Sequence, residues 1–331
     1  MGLLPGEREL SQLLQVSRPT IRAALAALER EGWLEVKQGA RRSIVRSQKQ
    51  GAPEAPPVIG LLSSRPLHEI IPHAQAWNER FREVLAREGY SVQNHYGRRW
   101  FTPTPERELA AFTTQSPAAA WVLFLSTAAM QQWFETSGRP SIVSGSLHQG
   151  IRLPMVDFDH RATCRHAASR FLVKGHRSMV FLRTGRPSAG DIESEQGFFE
   201  GIAAVDGASG VVVEHDGSPA SIRAAVSRIL RQTSTPTGVL VLRANAALVV
   251  ASEMIRRRVR IPEDVSVVCR DSDHFLDYFS PAIARYEADP LIHAQRLAKL
   301  VLRIVKEGGG PVTKVRLIPK FRPGESLGSL I

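Results

Sequence analysis

A short segment near the N-terminus places hydroxyl and guanidinium groups within two helical turns of each other. It opens with Ser17, Arg18 and Thr20 and continues to Arg22. A guanidinium can pair bidentately with guanine or hold a phosphate oxygen, and a hydroxyl can bond to either partner. Since the first turn of a helix reaches base edges in the major groove, this spacing predicts contact with double-stranded DNA.

A second basic group lies in a turn between two β-prone runs, residues 33–36 and 43–45. Gly39 offers its backbone N–H there, and Arg41 and Arg42 offer cations for the phosphate chain or the minor groove. A helical hairpin with a solvated basic face is the simpler interpretation. Cations at each expected position favour DNA binding instead.

The elements that must hold these groups are visible in the pattern. Pro5 suits the first turn of one helix, and Ser17 is a good N-cap for a second. Apolar residues of the second helix recur at i, i+3, i+4 and i+7 from Ile21, and Gly32 ends it. The order helix, turn, helix, β-hairpin predicts a winged helix-turn-helix.

Length and charge set the wider frame. The 331 residues suit two or three domains, and 43 Lys+Arg against 32 Asp+Glu give a net charge of +11, which favours a polyanionic partner. Two cysteines, Cys164 and Cys269, exclude a disulfide scaffold and fit a reducing cytoplasm. No apolar stretch is long enough to span a bilayer, and no export signal is visible, so we predict no membrane partner.

The chain divides at a segment of prolines and small or polar residues. Residues 47–57 lack large apolar side chains, so we predict a linker between a DNA-binding domain at 1–46 and a larger domain at 58–331. In the larger domain, strand-length apolar runs alternate with amphipathic helical patterns. This alternation predicts an α/β fold of doubly wound parallel sheets, with two lobes and a ligand cleft at the carboxyl ends of the strands.

An enzyme is the competing class for the larger domain. The sequence contains no glycine-rich dinucleotide fingerprint, phosphate loop or nucleophile elbow, so we predict neither a catalytic site nor a cofactor. Possible metal ligands form a loose group of Asp157, Asp159, His160, Cys164 and His166. Their spacing matches no compact zinc pattern, and capping of a helix by an Asp or His explains them more simply.

Residues 2–45 resemble the GntR-type winged helix. The resemblance lies in Leu4-Pro5-Gly6-Glu7-Arg8-Glu9-Leu10, in Val16-Ser17-Arg18-Pro19-Thr20-Ile21-Arg22 and in Leu28-Glu29-Arg30-Glu31-Gly32-Trp33. It implies DNA contacts by Arg8, Ser17, Arg18, Thr20, Arg22 and Gly39. Family members carry a further helix before this point, so we expect either a start upstream of Met1 or a head whose core lacks one partner.

The larger domain resembles the effector domain of the LacI/GalR family, a two-lobed periplasmic-binding-protein-like fold. The resemblance lies in Val156-Asp157-Phe158-Asp159, Gly175-His176, Gly197-Phe198 and Ile261-Pro262-Glu263-Asp264-Val265. A GntR head on such a sensor resembles the arabinose-repressor architecture. It implies a homodimer, operator DNA as partner and a sugar-like effector. The effector residues we predict are Ser64, Arg65, Ser194, Arg243, Asn245, Arg270 and Asp271.

Three departures from the LacI/GalR pattern concern that effector. Ser194 stands where sugar-binding members have Arg, and Ala246 stands where they have Asp. The stretch Ser144-Gly145-Ser146 stands where they commonly carry an Asp. Because a sugar in a dry cleft needs charged partners for its hydroxyls, these losses argue for a changed ligand or for none.

Two arginines beside the expected site, Arg243 and Arg270, raise the hypothesis of an anionic ligand such as a sugar acid or a phosphate. In the alternative interpretation both arginines are ion-paired, with Glu193, Asp271 or Asp273.

Together these patterns predict a cytoplasmic DNA-binding transcriptional regulator, in the first instance a repressor, that acts as a homodimer under the control of a small ligand. Two alternatives stay open. One is a ligand-insensitive DNA binder that uses the larger domain for dimerisation, and the other is an α/β enzyme fused to a DNA-binding module.

Overall fold

The computed structural model describes residues 4–31, 34–35, 43–44, 56–70, 72–232, 236–308 and 312–330. The chain separates into two compact units, Met1–Ala55 and Pro56–Ile331. Most of the predicted linker, residues 47–55, lies outside the described residues. Across the described ranges, no helix is long and apolar enough to cross a membrane.

The smaller unit has the predicted order of elements. Helix α1 (Glu7–Leu14) is followed by α2 (Arg18–Arg30) and by two antiparallel strands, β1 (Leu34–Glu35) and β2 (Ser43–Ile44). The Ser17 hydroxyl caps α2 by accepting the Thr20 N–H at 3.4 Å. This cap satisfies one of the N–H groups that every helix start leaves without a backbone partner, and so fixes where α2 begins.

The core of the smaller unit lies along one side of α2. Ile21 and Leu25 pack with Leu34 of β1, and each of the three is at most 7% exposed. Leu13 and Leu14 of α1 are 66% and 60% exposed, so the apolar face predicted for α1 is covered in part by the described residues. Among the described residues of this unit, the buried apolar area lies mainly on α2, so their hydrophobic stabilisation depends on that helix.

The larger unit alternates strands and helices along its length. Its described strands are β3 (Val58–Ser63), β4 (Ser91–Tyr96), β5 (Ala120–Phe124), β6 (Ser141–Ser144), β7 (Met155–Phe158), β8 (Ser178–Thr184), β9 (Ser209–His215), β10 (Gly238–Val241), β11 (Ser266–Cys269), β12 (Ala284–Glu287), β13 (Lys314–Leu317) and β14 (Lys320–Arg322). Its described helices are α3 (Leu67–Ile70), α4 (Pro72–Arg87), α5 (Glu106–Gln115), α6 (Ala128–Ser137), α7 (His160–Val173), α8 (Ala189–Ile202), α9 (Pro219–Leu230), α10 (Ala244–Arg256) and α11 (Pro290–Glu307).

The strands form two six-stranded sheets, one in each of two lobes. In lobe one the order is β13-β7-β6-β5-β3-β4, with parallel pairing. In lobe two the order is β14-β12-β11-β10-β8-β9, parallel except at the antiparallel edge pair β12–β14. Helices cover both faces of such sheets, so inner strands are apolar on both sides; all five residues of β5 are buried. The predicted doubly wound α/β fold is confirmed.

Several elements differ from the sequence-based expectation: the strands β4, β12, β13 and β14 and the helices α3 and α6 were not predicted, and α8 begins earlier than expected. Strand β4 was not predicted, because Gln93, Asn94 and His95 give this edge strand a polar pattern. The amphipathic pattern predicts a helix over about residues 194–205, but α8 begins at Ala189. Ser188 and Asp191 form a capping box there, in which each side chain bonds to the backbone N–H of the other.

Within the described residues the chain passes between the lobes three times. It leaves lobe one after β7, returns before α11, and leaves again after β13, since α7 packs in the core of lobe two and α11 in that of lobe one. The Asp159 N–H donates to the Leu317 carbonyl at 2.7 Å. Two of the three connections are therefore bonded side by side.

Helices α7 and α8 of lobe two touch through glycines. A Cβ on Gly197 would lie 2.0 Å from the Arg161 carbonyl oxygen, and one on Gly201 would lie 2.7 Å from the Ala168 Cβ. The two backbones thus approach more closely than a side chain at either position allows. This contact holds α8 against α7.

Replacing Gly197 by alanine tests the contact. In an exposed helix the change stabilises by up to about 1 kcal/mol. Here the new Cβ meets backbone, so we expect the free energy of unfolding to fall by about 1–3 kcal/mol. Urea denaturation measures the change, and Gly185→Ala is the control because its Cβ would meet nothing closer than 3.5 Å. Equal effects of the two substitutions would contradict the interpretation.

Candidate functional sites

The N-terminal turn of α2 carries the predicted DNA-contacting groups on an exposed face. Ser17, Arg18, Thr20 and Arg22 are all exposed, while Ile21 between them is buried and anchors the helix. The Ser17 and Thr20 hydroxyls bond to each other at 2.7 Å. Each hydroxyl can form further hydrogen bonds, so this turn can still meet a phosphate or a base edge.

Arg22 has a partner in α1. Its Nε and Nη2 donate to Glu7 Oε2 at 3.3 and 3.2 Å, and its side chain is 67% exposed. Arg8, which follows Glu7, is exposed. The remaining predicted DNA contacts, which lie outside the described residues, are Gly39, Arg41 and Arg42.

A cavity of about 110 Å³ lies between the lobes of the larger unit. Residues at the carboxyl ends of β5, β6, β7, β10 and β11 line it, together with the start of α8. Its apolar walls are largely aromatic and include Trp77, Phe124, Phe158 and Tyr286. Flat aromatic faces beside a few fixed polar groups suit a small ring that carries hydroxyl groups.

Two arginines and two aspartates form an ion-pair ring on the lobe-two side of the cavity. Arg270 donates to Asp191 Oδ1 and to Asp271 Oδ1, both at 3.0 Å. It also donates to the Ser194 hydroxyl at 2.8 Å. Arg243 donates to Asp191 at 2.9 Å and to Asp271 at 3.2 Å. The two positive and two negative charges of the ring cancel.

Burial makes that cancellation necessary. Arg270 is 5% exposed and Asp191 is 2% exposed. Burial lowers the pKa of Arg270, but the charges of Asp271 and Asp191 outweigh it and raise the pKa above its ordinary value. An uncompensated buried charge would cost several kcal/mol. Both arginines are therefore ion-paired, but the partner besides Asp271 is Asp191 rather than Glu193 or Asp273.

Asp157 lines the cavity from the end of β7. Its carboxylate accepts from the Ser146 hydroxyl at 2.7 Å and from the Phe158 N–H at 2.8 Å, and it lies 3.3 Å from His160 Nε2. Burial raises the pKa of Asp157, but the charge of His160 and these hydrogen bonds lower it to about 2. An ionised carboxylate thus lines the cavity at neutral pH and can accept hydrogen bonds from ligand hydroxyls.

An imidazole faces the cavity from α11 in lobe one. His293 Nε2 lies 3.0 Å from the Ser144 hydroxyl. Its ring packs against Trp77 and Phe158, with centroids 5.1 and 5.4 Å away. All four side chains line the cavity, so lobe one combines polar groups with aromatic surface.

Glu193 of α8 connects the two lobes. Its carboxylate oxygens accept from Nη1 and Nη2 of Arg316 in lobe one, both at 2.7 Å. The Ser146 hydroxyl of lobe one lies 3.0 Å from Glu193 Oε2. A bidentate pair of this kind is the strongest form of an arginine–carboxylate contact. The side chains of Arg316 and Glu193 are 36% and 20% exposed, so water screens the pair in part.

The predicted effector residues fall into two groups. Those that line the cavity are Arg243, Arg270 and Asp271. The other four are not among the described residues that line the cavity: Ser64, Arg65, Ser194 and Asn245. Ser64 and Arg65 lie in the bend after β3. Ser194 is fully buried, and the Asn245 side chain accepts from the neighbouring Ala246 N–H at 2.9 Å.

The residues considered as metal ligands have separate contacts. Asp159 caps α7 by accepting the Ala162 N–H at 2.9 Å, as predicted for a helix start. His166 Nδ1 lies 2.7 Å from the Tyr286 hydroxyl. Cys164 is buried and unpaired, and burial raises the pKa of its thiol to about 12. Over the described ranges, no group of three or more His, Cys, Asp or Glu residues is arranged to hold a metal ion.

Most residues that line the cavity were not predicted as ligand contacts; among them are the polar and aromatic residues Trp77, Asp157, His160, Tyr286 and His293. Trp77 lies in α4 and His293 in α11, more than two hundred residues apart, yet their rings are in contact. For these two residues the available signal was a polar or aromatic residue within the apolar stripe of a helix, and an ordinary core usually produces that signal.

Comparison with known proteins follows the same division of the chain. Residues 2–44 match the gntR family of bacterial regulatory proteins, and residues 168–327 match the periplasmic binding protein-like domain. The transcriptional repressor NanR of Edwardsiella tarda is 45% identical over 60 residues, 18% of this chain and 21% of that protein. NanR of Escherichia coli K12 is 43% identical over 60 residues. The chain thus spans about a fifth of the length of these curated relatives.

Solved structures resemble the larger unit, and in one case nearly the whole chain, at low sequence identity. A LacI family regulator from Enterococcus faecium with bound ribose has a TM-score of 0.68 and 18% identity, covering 83% of this chain and 100% of that one. The regulator CelR in complex with cellobiose has a TM-score of 0.72 and 17% identity, covering 98% and 100%. The chain therefore joins a winged helix that matches the gntR family of bacterial regulatory proteins to a unit that matches the periplasmic binding protein-like domain and has the fold of LacI-family regulators.

Proposed function

We propose that this protein is a DNA-binding transcriptional repressor whose operator binding is controlled by a small ligand between the lobes. The observation that carries the proposal is the exposed N-terminal turn of α2, where Ser17, Arg18, Thr20 and Arg22 face outward. The curated relatives that match this part of the chain are named as repressors.

The proposal includes a homodimer in the cytoplasm on a two-fold operator. A single recognition helix reads a few base pairs, and two heads on two half-sites supply the missing specificity. The two unpaired, buried cysteines are in keeping with a reducing compartment. Arg8 and Arg18 would hold phosphates or guanine edges in each half-site, and Arg41 and Arg42 would reach the flanking backbone.

The ligand we infer is a neutral, hydroxyl-rich ring. Asp157 and Asp271 present carboxylates to the cavity, while Arg243 and Arg270 are already ion-paired in the ring. A carboxylate on the ligand would lack a free cation and would meet two like charges. The solved structures of similar fold that contain ribose and cellobiose hold neutral sugars, which supports the same class here.

Control by the ligand would act through the angle between the lobes. We take the arrangement in which Glu193 pairs with Arg316 as the closed one. The pair would stabilise it without a ligand, and a ligand would add its own contacts to the same equilibrium. A ligand can shift that equilibrium by no more than the difference in its affinity for the two arrangements.

A second candidate function is a ligand-insensitive DNA binder. The observation in its favour is the size of the cavity, about 110 Å³, since pockets for drug-sized ligands hold about 300–1,000 Å³. In that case the larger unit would serve dimerisation alone.

Removing a guanidinium from the recognition turn tests the DNA contact. We expect Arg18→Ala to weaken binding to a duplex selected from random sequences by about 10- to 100-fold, because a lost bidentate contact costs about 1–3 kcal/mol. The salt dependence should also fall if the contact is to phosphate. Arg30→Ala, at the other end of α2, is the control. Unchanged affinity and salt slope in Arg18→Ala would refute the winged-helix assignment.

A thermal-shift panel tests the ligand class. We expect ribose or cellobiose to raise the melting temperature and the corresponding sugar acids to leave it unchanged, because the cavity cations are paired. Asp271→Asn should weaken the effect of neutral sugars and favour the acids, since it frees part of the charge on Arg243 and Arg270. Asp264→Asn, which removes an exposed ion pair with Arg260 in lobe two, is the control. Stabilisation of the unmodified protein by the acids alone would refute a neutral ligand.

A distance measurement between spin labels tests the inter-lobe pair. Labels at Gln132→Cys and Arg223→Cys occupy exposed sites, one in each lobe, and the native cysteines are buried. If the pair is worth about 1 kcal/mol, Glu193→Ala should shift the closed-to-open ratio about fivefold toward longer distances. Adding Arg316→Ala should produce no further shift. Glu88→Ala, which breaks a pair within lobe one, should leave the distances unchanged, and an equal shift there would count against the proposal.

A further inference from the structure

We propose that Glu7 is a positioning residue for DNA recognition, which holds the Arg22 guanidinium in the orientation in which it meets DNA. The inference rests on the DNA-binding function proposed above. It assigns a role to a residue whose own charge opposes DNA contact.

The geometry places Glu7 at the inner end of the pair and Arg22 at the outer end. Glu7 is the first residue of α1, and its side chain is 20% exposed. Arg22 extends from the second turn of α2 and is 67% exposed. Both Nε and Nη2 donate to the same oxygen, Glu7 Oε2, at 3.3 and 3.2 Å. Two donors on one acceptor fix the plane of the guanidinium better than one hydrogen bond does.

Fixing that plane matters because arginine has many rotamers. An unrestrained guanidinium must lose this freedom when it binds DNA, and ordering it beforehand removes part of that cost. Glu7 uses the Nε–H and one side of Nη2, which leaves the other N–H groups of the five-donor fork for a base edge or a phosphate. A guanidinium held in one orientation binds most tightly to the DNA sequence whose acceptor atoms lie opposite its free N–H groups.

The carboxylate has an opposite effect on general affinity. Glu7 lies beside Arg8 in sequence and beside Arg22 in space, and both are predicted DNA contacts. A negative charge there repels phosphates of any sequence. Glu7 thus weakens non-specific binding and strengthens discrimination, a combination that a purely structural role would not produce.

Glu9 supplies a matched control. It lies in the same first turn of α1 as Glu7, where acidic residues stabilise the helix end, and it is exposed. Its replacement by glutamine removes the same charge from the same turn and leaves the contact between Glu7 and Arg22 intact.

The experiment compares the full chain with its Glu7→Gln and Glu9→Gln variants on a selected duplex and on a scrambled duplex of equal length. Both variants should bind the scrambled duplex at least as tightly as the unmodified protein. Glu7→Gln should lower the ratio of selected to scrambled affinity by about three- to tenfold, and Glu9→Gln should leave it unchanged. Glu7→Asp keeps the charge but shortens the reach, and it should also lower the ratio.

The same comparison in an Arg22→Ala background completes the test. In the absence of the Arg22 guanidinium, Glu7→Gln should no longer change the ratio. Equal ratios for the two glutamine variants, or a loss that persists without Arg22, would overturn the positioning role. An unmodified protein that binds both duplexes equally would overturn the proposed function itself, which is seen before any variant is compared.

Discussion

The arrangement of the larger unit around its cavity depends on the balance of buried charge in the ion-pair ring on the lobe-two side. Arg270 follows β11 with its guanidinium almost out of reach of water, so it must meet carboxylates from nearby elements. One of these, Asp191, also belongs to the capping box that starts α8. Because α8 carries Glu193 as well, the same charge balance orients the helix that reaches across to lobe one. One requirement, that carboxylates neutralise the buried Arg270 guanidinium, therefore affects three features. These are the charge of the cavity, the position of α8 in its wall and the contact between the lobes.

Local sequence patterns were enough to predict the architecture, but they could not predict the partners within the site. The apolar runs of β5 and the N-cap at Ser17 are signals carried by neighbouring residues, and both are found as predicted. Asp191 and Arg270, by contrast, are 79 residues apart. Their meeting depends on the strand order of lobe two, which no local periodicity specifies.

The departures from the LacI/GalR pattern illustrate the difference between a position in the sequence and a place in the cavity. Ser194 stands where an Arg is usual, and its hydroxyl bonds to Arg270 at 2.8 Å. Ser146 stands in the stretch where an Asp is usual, and its hydroxyl bonds to Asp157 at 2.7 Å. In both places a neighbouring strand end supplies a charged group of the expected kind. Polar groups lost at aligned positions are thus not lost from the cavity.

The three chain connections between the lobes have a mechanical consequence. Two of them are hydrogen-bonded to each other through Asp159 and Leu317, which opposes sliding and separation of the lobes. We therefore expect the lobes to move by rotation about these connections. A ligand that binds between the lobes would then change mainly one quantity, the angle between them, whichever residues it contacts. Cavity residues can then be exchanged to suit another ligand, because the rotation depends on the connections between the lobes and not on which ligand drives it.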